Sequence, residues 1–268
     1  MPELPEVETV RRTLTPALAG RTIVSVAFRW PRTCVGDARE TEARLAGQRI
    51  ERLDRHGKYL LLRLRRDGRE SVLVIHLRMT GNLLVNGAAG EYTRTTMALD
   101  DGSTLVFQDM RKFGRWQWSE SLPARLAALG PDPLEIGPDA FAARLGARRA
   151  RLKALLLDQE FLRGLGNIYA DEALFRARLH PLRLGASVGP RKARALHGAI
   201  REVLQDAIDA GGSSIRDYRD SRGEPGGFQR QIQVYGRTGD PCVTCGTTVR
   251  RLLVAQRSTH FCPRCQRR

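Results

Sequence analysis

Leu152-Lys153 leads through Leu157-Asp158-Gln159 to Gly164-Leu165-Gly166-Asn167-Ile168-Tyr169-Ala170-Asp171-Glu172. The pattern is a short apolar helix, a glycine turn and a second helix. Gly164 and Gly166 allow a backbone to approach a phosphate closely. The second helix begins at Asn167, where unpaired N–H groups and the positive dipole end collect. This is the form of a helix–turn–helix element that grips nucleic acid, and equally of an ordinary αα-hairpin. The sequence on either side decides between them.

Upstream, from residue 21 to 119, the apolar pattern has period two and runs are short. Strands are expected at 22–28, 49–53, 59–64, 72–77, 82–85, 95–99, 104–108 and 115–118. Asp67-Gly68, Asn86-Gly87 and Asp101-Gly102 divide them. Eight short strands at this spacing predict an antiparallel sandwich. A helix precedes them, with Pro5 in its first turn and Val7, Val10 and Leu14 on one face; Pro16 is expected to stop or kink it. Leu129-Gly130-Pro131-Asp132-Pro133 reads as a linker. Further helices are expected at 138–145, 151–157, 167–176 and 190–210, the last ended by Gly211-Gly212. The polar, Gly-rich stretch 213–228 reads as a mobile loop.

Downstream lies Cys242-x2-Cys245-x16-Cys262-x2-Cys265. Two CxxC knuckles supply four thiolates for one tetrahedral Zn²⁺, with no open position for water, so the metal is structural. Between them, 248–254 and 259–261 alternate as a β-hairpin with Arg257 near its tip. The fold class expected is α+β: an N-terminal antiparallel β-sandwich with a leading helix, then a helical domain with a β-hairpin zinc finger. The domains are drawn at 1–130, 131–230 and 231–268.

The charge narrows the function. The 268 residues carry 45 basic and 29 acidic side chains, a net charge of +16. That surplus suits a polyanion, nucleic acid first, better than a small metabolite. Only Lys58, Lys112, Lys153 and Lys192 are lysines, and only they offer a deprotonatable side-chain amine. No apolar run is long enough for a membrane span. Cysteines at metal spacing suggest a reducing, cytoplasmic setting.

Chemistry concentrates at Met1-Pro2-Glu3-Leu4-Pro5-Glu6. Removal of Met1 exposes the secondary amine of Pro2. An α-amine has a pKa of about 7.7–8, so part of it is neutral and nucleophilic near pH 7. Attack on an anomeric carbon yields an iminium ion, which acts as an electron sink. Glu3 stands beside it for proton transfer. Arg111-Lys112-Phe113-Gly114 sets a basic residue beside an aromatic after a strand. Phe113 either wedges into a base stack or packs in the sandwich; Met79 poses the same alternative. Lys58, after His56-Gly57, is either a phosphate ligand or a solvated strand-end residue.

Taken together, Pro2–Glu8, Gly57-Lys58-Tyr59-Leu60, the 109–114 loop, Gly166-Asn167-Ile168-Tyr169-Ala170 and Gln256-Arg257-x-Thr259 resemble the bacterial formamidopyrimidine-DNA glycosylase family across essentially the whole chain. The resemblance implies a glycosylase and abasic-site lyase for oxidised purines in double-stranded DNA, such as 8-oxoguanine and formamidopyrimidines. It implies Pro2 as the Schiff-base nucleophile, Glu3 as proton donor, Lys58 in β-elimination and Arg257 in δ-elimination. Asn167 joins a helix–two-turn–helix phosphate clamp. Met79, Arg111 and Phe113 fill the gap of a flipped base, and Arg149 matches a basic DNA contact. Tyr92 stands where many relatives carry a DNA-contacting His, and Lys112 where the wedge commonly has Arg. The expected protein is a cytoplasmic, nucleoid-associated monomer that needs one structural zinc and no Mg²⁺. Two alternatives are an endonuclease VIII-like glycosylase for oxidised pyrimidines, which Leu4 and the long 213–228 loop oppose, and a non-catalytic zinc-finger DNA-binding protein.

Overall fold

The computed structural model describes residues 1–215 and 217–268. Two compact units form: 1–127 with 210–227, and 128–209 with 228–268. The expected 213–228 loop thus divides at 227, and its Arg216 lies outside the described residues.

The first unit opens on helix α1, Leu4–Leu18. Val7, Val10, Leu14 and Leu18 fall on one face and are fully buried. Pro16 does not stop this helix, which runs two residues further. Proline removes one N–H donor near the C-terminal end, and the turn is closed instead by Ala19 N–H to Thr15 O at 3.0 Å. Strands β1 (Ile23–Phe28), β6 (Thr93–Leu99), β7 (Thr104–Asp109) and β5 (Gly81–Val85) form one antiparallel sheet in the order β1-β6-β7-β5. Strands β2 (Arg49–His56), β3 (Tyr59–Arg66), β4 (Arg69–His76) and β8 (Arg115–Ser119) form the other, in chain order. Inward residues of both, among them Leu62, Ile75, Met97 and Leu105, share a core with α1. Trp116 of one sheet lies 6.1 Å from Phe28 and 5.8 Å from Phe107 of the other, ring to ring. The sequence pattern does not reveal helix α2, Ala38–Leu45. Half of its residues are charged and it buries only Thr41 and Leu45, and Asp37 caps it by accepting from Glu40 N–H at 2.8 Å.

In the second unit, after the short α3 (Ala124–Ala127) that ends the first, come α4 (Pro138–Gly146), α5 (Leu152–Leu157), α6 (Asn167–Arg176) and α7 (Pro190–Asp209). Helix α7 buries Ala193, Leu196, Ile200, Val203, Leu204 and Ala207, a stripe at helical spacing. Strands β9 (Arg250–Val254) and β10 (Arg257–Phe261) pair antiparallel, with Arg257 opposite Val254.

Helix α1 is tied to β2 electrostatically. Glu8 accepts from Arg11, Arg12 and Arg55 at 2.7–3.2 Å. Burial opposes its charge, but hydrogen bonds from Arg11 and Arg12 and the Arg55 charge prevail and hold the carboxyl at about 2. A carboxyl lowered in the fold stabilises it above its unfolded pKa, and that contribution fades as pH falls through the folded value. Glu8→Gln should therefore lose on the order of 2 kcal/mol at neutral pH, allowing for solvent screening of the arginines. Thermal melts against pH should show the deficit constant above about pH 5 and shrinking toward pH 2.

Candidate active site and nucleic-acid interface

In the first unit the amino terminus is held rather than frayed. Pro2 is buried and Glu3 is 3% exposed, while Met1 reaches solvent. Glu3 begins α1 as its N-cap, and Glu6 Oε2 accepts the Glu3 N–H at 2.7 Å. The other oxygen, Glu6 Oε1, accepts the Ser213 N–H at 2.8 Å. Tyr218 OH donates to the Glu6 carbonyl at 3.3 Å, and burial followed by the Glu6 charge pushes its phenol upward. The 210–227 segment makes further bonds to this unit: Asn82 Nδ2 donates to Asp217 O at 3.1 Å and Val85 N–H to Ser221 O at 3.1 Å. At Gly226 a Cβ would stand 2.3 Å from Gly212 O, so only glycine permits that crossing.

Lys58 follows Gly57 (φ +60°) in the β2–β3 turn and is 8% exposed. Its charge contributes to a local positive field. Burial, then the Arg78, Lys58 and Arg125 charges, lowers His76 to about 3, so that imidazole is neutral at physiological pH.

The 109–114 loop is organised by one buried carboxylate. Asp109 is 1% exposed; Oδ1 accepts from Thr80 Oγ1 at 2.5 Å and from Arg111 N–H at 3.2 Å. Oδ2 accepts the Gly114 N–H at 2.7 Å. Phe113 is not in the sandwich core; it is 44% exposed, and Met79 is 37% exposed. Arg111 lies 4.8 Å over the Phe113 ring and donates to Met79 Sδ at 3.2 Å. The three side chains form one exposed cluster of two apolar groups and a guanidinium. Tyr92 is 44% exposed, and its carbonyl accepts the Asp109 N–H.

In the second unit Asn167 is the first residue of α6, and Nδ2 donates to Ser258 O of β10 at 2.9 Å. Among the described residues its buried Oδ1 has no hydrogen-bond partner. Beneath it, Lys153 and Asp171 form a fully buried pair at 2.7 Å. Lys153 Nζ also donates to Asn167 O, and Asp171 Oδ2 accepts both His260 N–H and His260 Nδ1–H at 2.9 Å. Glu172, raised by burial, accepts three successive N–H groups, Gln233 to Tyr235. The sequence points to Asn167 and Arg257 but not to these anchors, whose signal is two acids inside an apolar helix. Arg257 is exposed and follows a two-residue turn in which Ala255 and Gln256 both have positive φ. Arg149 is exposed in the turn between α4 and α5.

The four cysteine sulfurs lie within 4.8 Å of one another. A zinc–sulfur bond of about 2.3 Å gives tetrahedral sulfur edges of about 3.8 Å. Cys242 and Cys265 are 3.9 Å apart and Cys245 and Cys262 3.5 Å, so the donors fit structural zinc. Gln266 fixes the second knuckle, accepting from Cys262 N–H and donating to Leu179 O.

The sandwich that follows a buried proline, the α5–turn–α6 element and the four-cysteine hairpin each have a counterpart among known protein families. Residues 1–116 match the formamidopyrimidine-DNA glycosylase N-terminal domain, 129–219 its H2TH domain and 239–268 the zinc finger found in FPG and IleRS. Formamidopyrimidine-DNA glycosylase of Solibacter usitatus is 51% identical, over 100% of both chains. The Thermus thermophilus MutM (FPG) crystal structure superposes with a TM-score of 0.88 at 45% identity, covering 99% of this chain and 98% of that one. A Lactococcus lactis FPG mutant in complex with Fapy-dG DNA gives 0.91 at 36% identity, over 100% of both. The chain belongs to the formamidopyrimidine-DNA glycosylase family.

Cys262→Ser should abolish stoichiometric zinc, read by metal analysis, and lower the thermal stability, because metal binding is coupled to folding of the hairpin.

Proposed function

We propose that the chain excises oxidised purines, 8-oxoguanine and formamidopyrimidines, from duplex DNA and then cleaves the abasic site. The observation that supports this most is the buried, hydrogen-bonded terminus, with Pro2 and Glu3 fixed through Glu6. The target nucleotide must leave the stack, since its glycosidic bond is shielded there. Phe113 and Met79 enter the gap, and Arg111 bonds the widowed base.

After Met1 removal, the Pro2 nitrogen lone pair forms a bond to the sugar C1′. The C1′–N bond breaks, the base leaves with the electron pair, and Glu3 supplies a proton. Loss of the proton from the Pro2 nitrogen and opening of the C1′–O4′ bond, with a proton delivered to O4′, turn this adduct into an iminium, which acidifies the C2′ proton. Its loss breaks the C3′–O bond and releases phosphate by β-elimination, assisted by Lys58. Loss of the C4′ proton then breaks C5′–O by δ-elimination, with Arg257 on the departing phosphate. Elimination activates no water for attack on phosphorus, so the sequence of steps calls for no Mg²⁺.

Residues 1–130 hold the chemistry in this scheme, 131–230 the phosphate clamp with Asn167 and Arg149, and 231–268 the finger that presents Arg257. Loop 213–228 covers the flipped base, and Tyr92 contacts DNA in place of the usual His. The enzyme acts as a monomer on the bacterial nucleoid.

An enzyme extended by one residue before Pro2 tests the nucleophile. With that nitrogen an amide, borohydride should trap no covalent complex on abasic DNA; trapping at the wild-type level would disprove the assignment. Two substitutions separate positioning from flipping. Arg257→Ala should weaken binding to every duplex and flatten the salt slope by about one unit. Phe113→Ala should leave the slope unchanged and slow base excision more than cleavage of a pre-formed abasic site, because unstacking costs on the order of a few kcal/mol. Equal rates on both substrates would remove Phe113 from the wedge.

A further inference from the structure

A second cationic feature lies at the zinc end of the hairpin. A depression of about 440 Å³ is lined by Arg178, Arg183, Lys192, Arg264, Arg267 and Arg268, with two zinc-site cysteines in its wall. No acidic side chain lines it. Among the described residues none of the six is ion-paired; Arg183 donates to Ser187 O instead. Part of this charge is explained by the metal site, since Zn²⁺ with four thiolates carries a formal charge of −2. Six cations still leave an excess of about four.

Arg178, one residue of the depression, sits at a strained helix cap. Helix α6 ends at Arg176, and the chain closes with Arg178 N–H to Phe175 O at 3.0 Å and Leu179 N–H to Leu174 O at 2.9 Å. This closure puts Arg178 at φ +54°, in the left-handed region. Glycine is the residue such a cap favours, and any Cβ there is strained. An exposed arginine therefore occupies a position at which glycine would be more stable, and it lines the depression.

The depression is separate from the clamp around Arg257. Arg257 starts β10 at the turn, and Cys262 follows the other end of that strand. At about 3.3 Å per residue the two ends are roughly 16 Å apart. Arg257 is not among the residues that line the depression.

We propose that this depression binds backbone phosphates of duplex DNA outside the footprint held by the clamp, so that the protein keeps hold of undamaged DNA while the clamp is empty or moving. The proposal rests on the assignment of the chain as a DNA repair enzyme. Phosphates are the ligand that an open surface of guanidinium groups recognises, in a sequence-independent and salt-dependent manner.

The test compares the zinc-loaded wild type with Arg178→Gly alone and with Arg178→Gly combined with Arg264→Gln and Arg267→Gln. Arg178→Gly should raise the melting temperature by roughly 2 °C while weakening binding to long undamaged duplex. A residue that is merely structural would not move stability and binding in opposite directions. The triple variant should lower the salt slope on long DNA by about two to three units. It should leave affinity and excision rate on a lesion duplex of about one helical turn within twofold of wild type. An unchanged slope on long DNA would overturn the proposal, reducing the arginines to counter-ions of the zinc thiolates. An equal loss on the short duplex would also overturn it, by merging the depression with the clamp. If the triple variant loses zinc, Arg178→Gly with Lys192→Gln, both remote from the knuckles in sequence, carries the same comparison. Failure of the wild type to process the short lesion duplex would instead refute the repair assignment, a distinct result.

Discussion

The Glu6 carboxylate is the constraint on which the order of the amino-terminal stretch depends. A reactive group at a chain terminus has an inherent difficulty, because terminal residues fray unless something ties them down. Here one buried side chain uses both oxygens, one on Glu3 N–H within α1 and one on Ser213 N–H from the 210–227 segment. The first bond fixes the residue after Pro2. The second makes the position of that segment depend on the same carboxylate. A terminus held by backbone donors has fewer rotamers to search than one held by long side chains, which is the order that the proposed Pro2 nucleophile would need.

The second unit solves a comparable problem with a different pair. Lys153 and Asp171 are both fully buried, and such a pair is tolerated only when remaining polar atoms are also bonded. They are: Lys153 reaches the Asn167 carbonyl, and Asp171 reaches His260 twice. Three elements, α5, α6 and β10, thereby share one polar node. Removing either charge would leave the other buried alone, at about 3–5 kcal/mol. Asn167 and the hairpin that carries Arg257 are consequently set in one frame, with the direct Asn167–Ser258 bond as a second tie.

The sequence makes the repeated features legible and leaves the solitary ones hidden. Period-two alternation and short apolar runs mark all eight strands of the sandwich, and cysteine spacing marks the metal site before any geometry is known. The Met79–Arg111–Phe113 cluster is only half legible, because an aromatic at a loop tip looks the same whether it packs inward or stands in solvent; exposure decides it. Helix α2 escapes notice because its eight residues bury too little to show a stripe, though Asp37 before Glu40 is a capping signal. Pro16 misleads because proline is costly in a helix interior but tolerable within the last turns. The Glu6–Ser213 bond spans 207 positions, and no local pattern encodes a partner so distant.

A single division of labour between acids and bases runs through both units. The chain has only 29 acidic side chains against 45 basic ones. Several of those acids are turned inward onto backbone N–H groups: Glu6, Asp109, Asp171, Glu172 and Asp220 each accept at least one. All five are less than 5% exposed. A carboxylate used in this way shapes a loop or a helix junction and does little to neutralise the surface. The arginines it leaves unmatched remain outside, long and hydrated, where they can meet phosphates. The inward placement of these five acids orders the site from within, while the composition itself supplies the positive excess of +16. Moving those five acids to the surface would leave the net charge of +16 as it is but would remove the internal order.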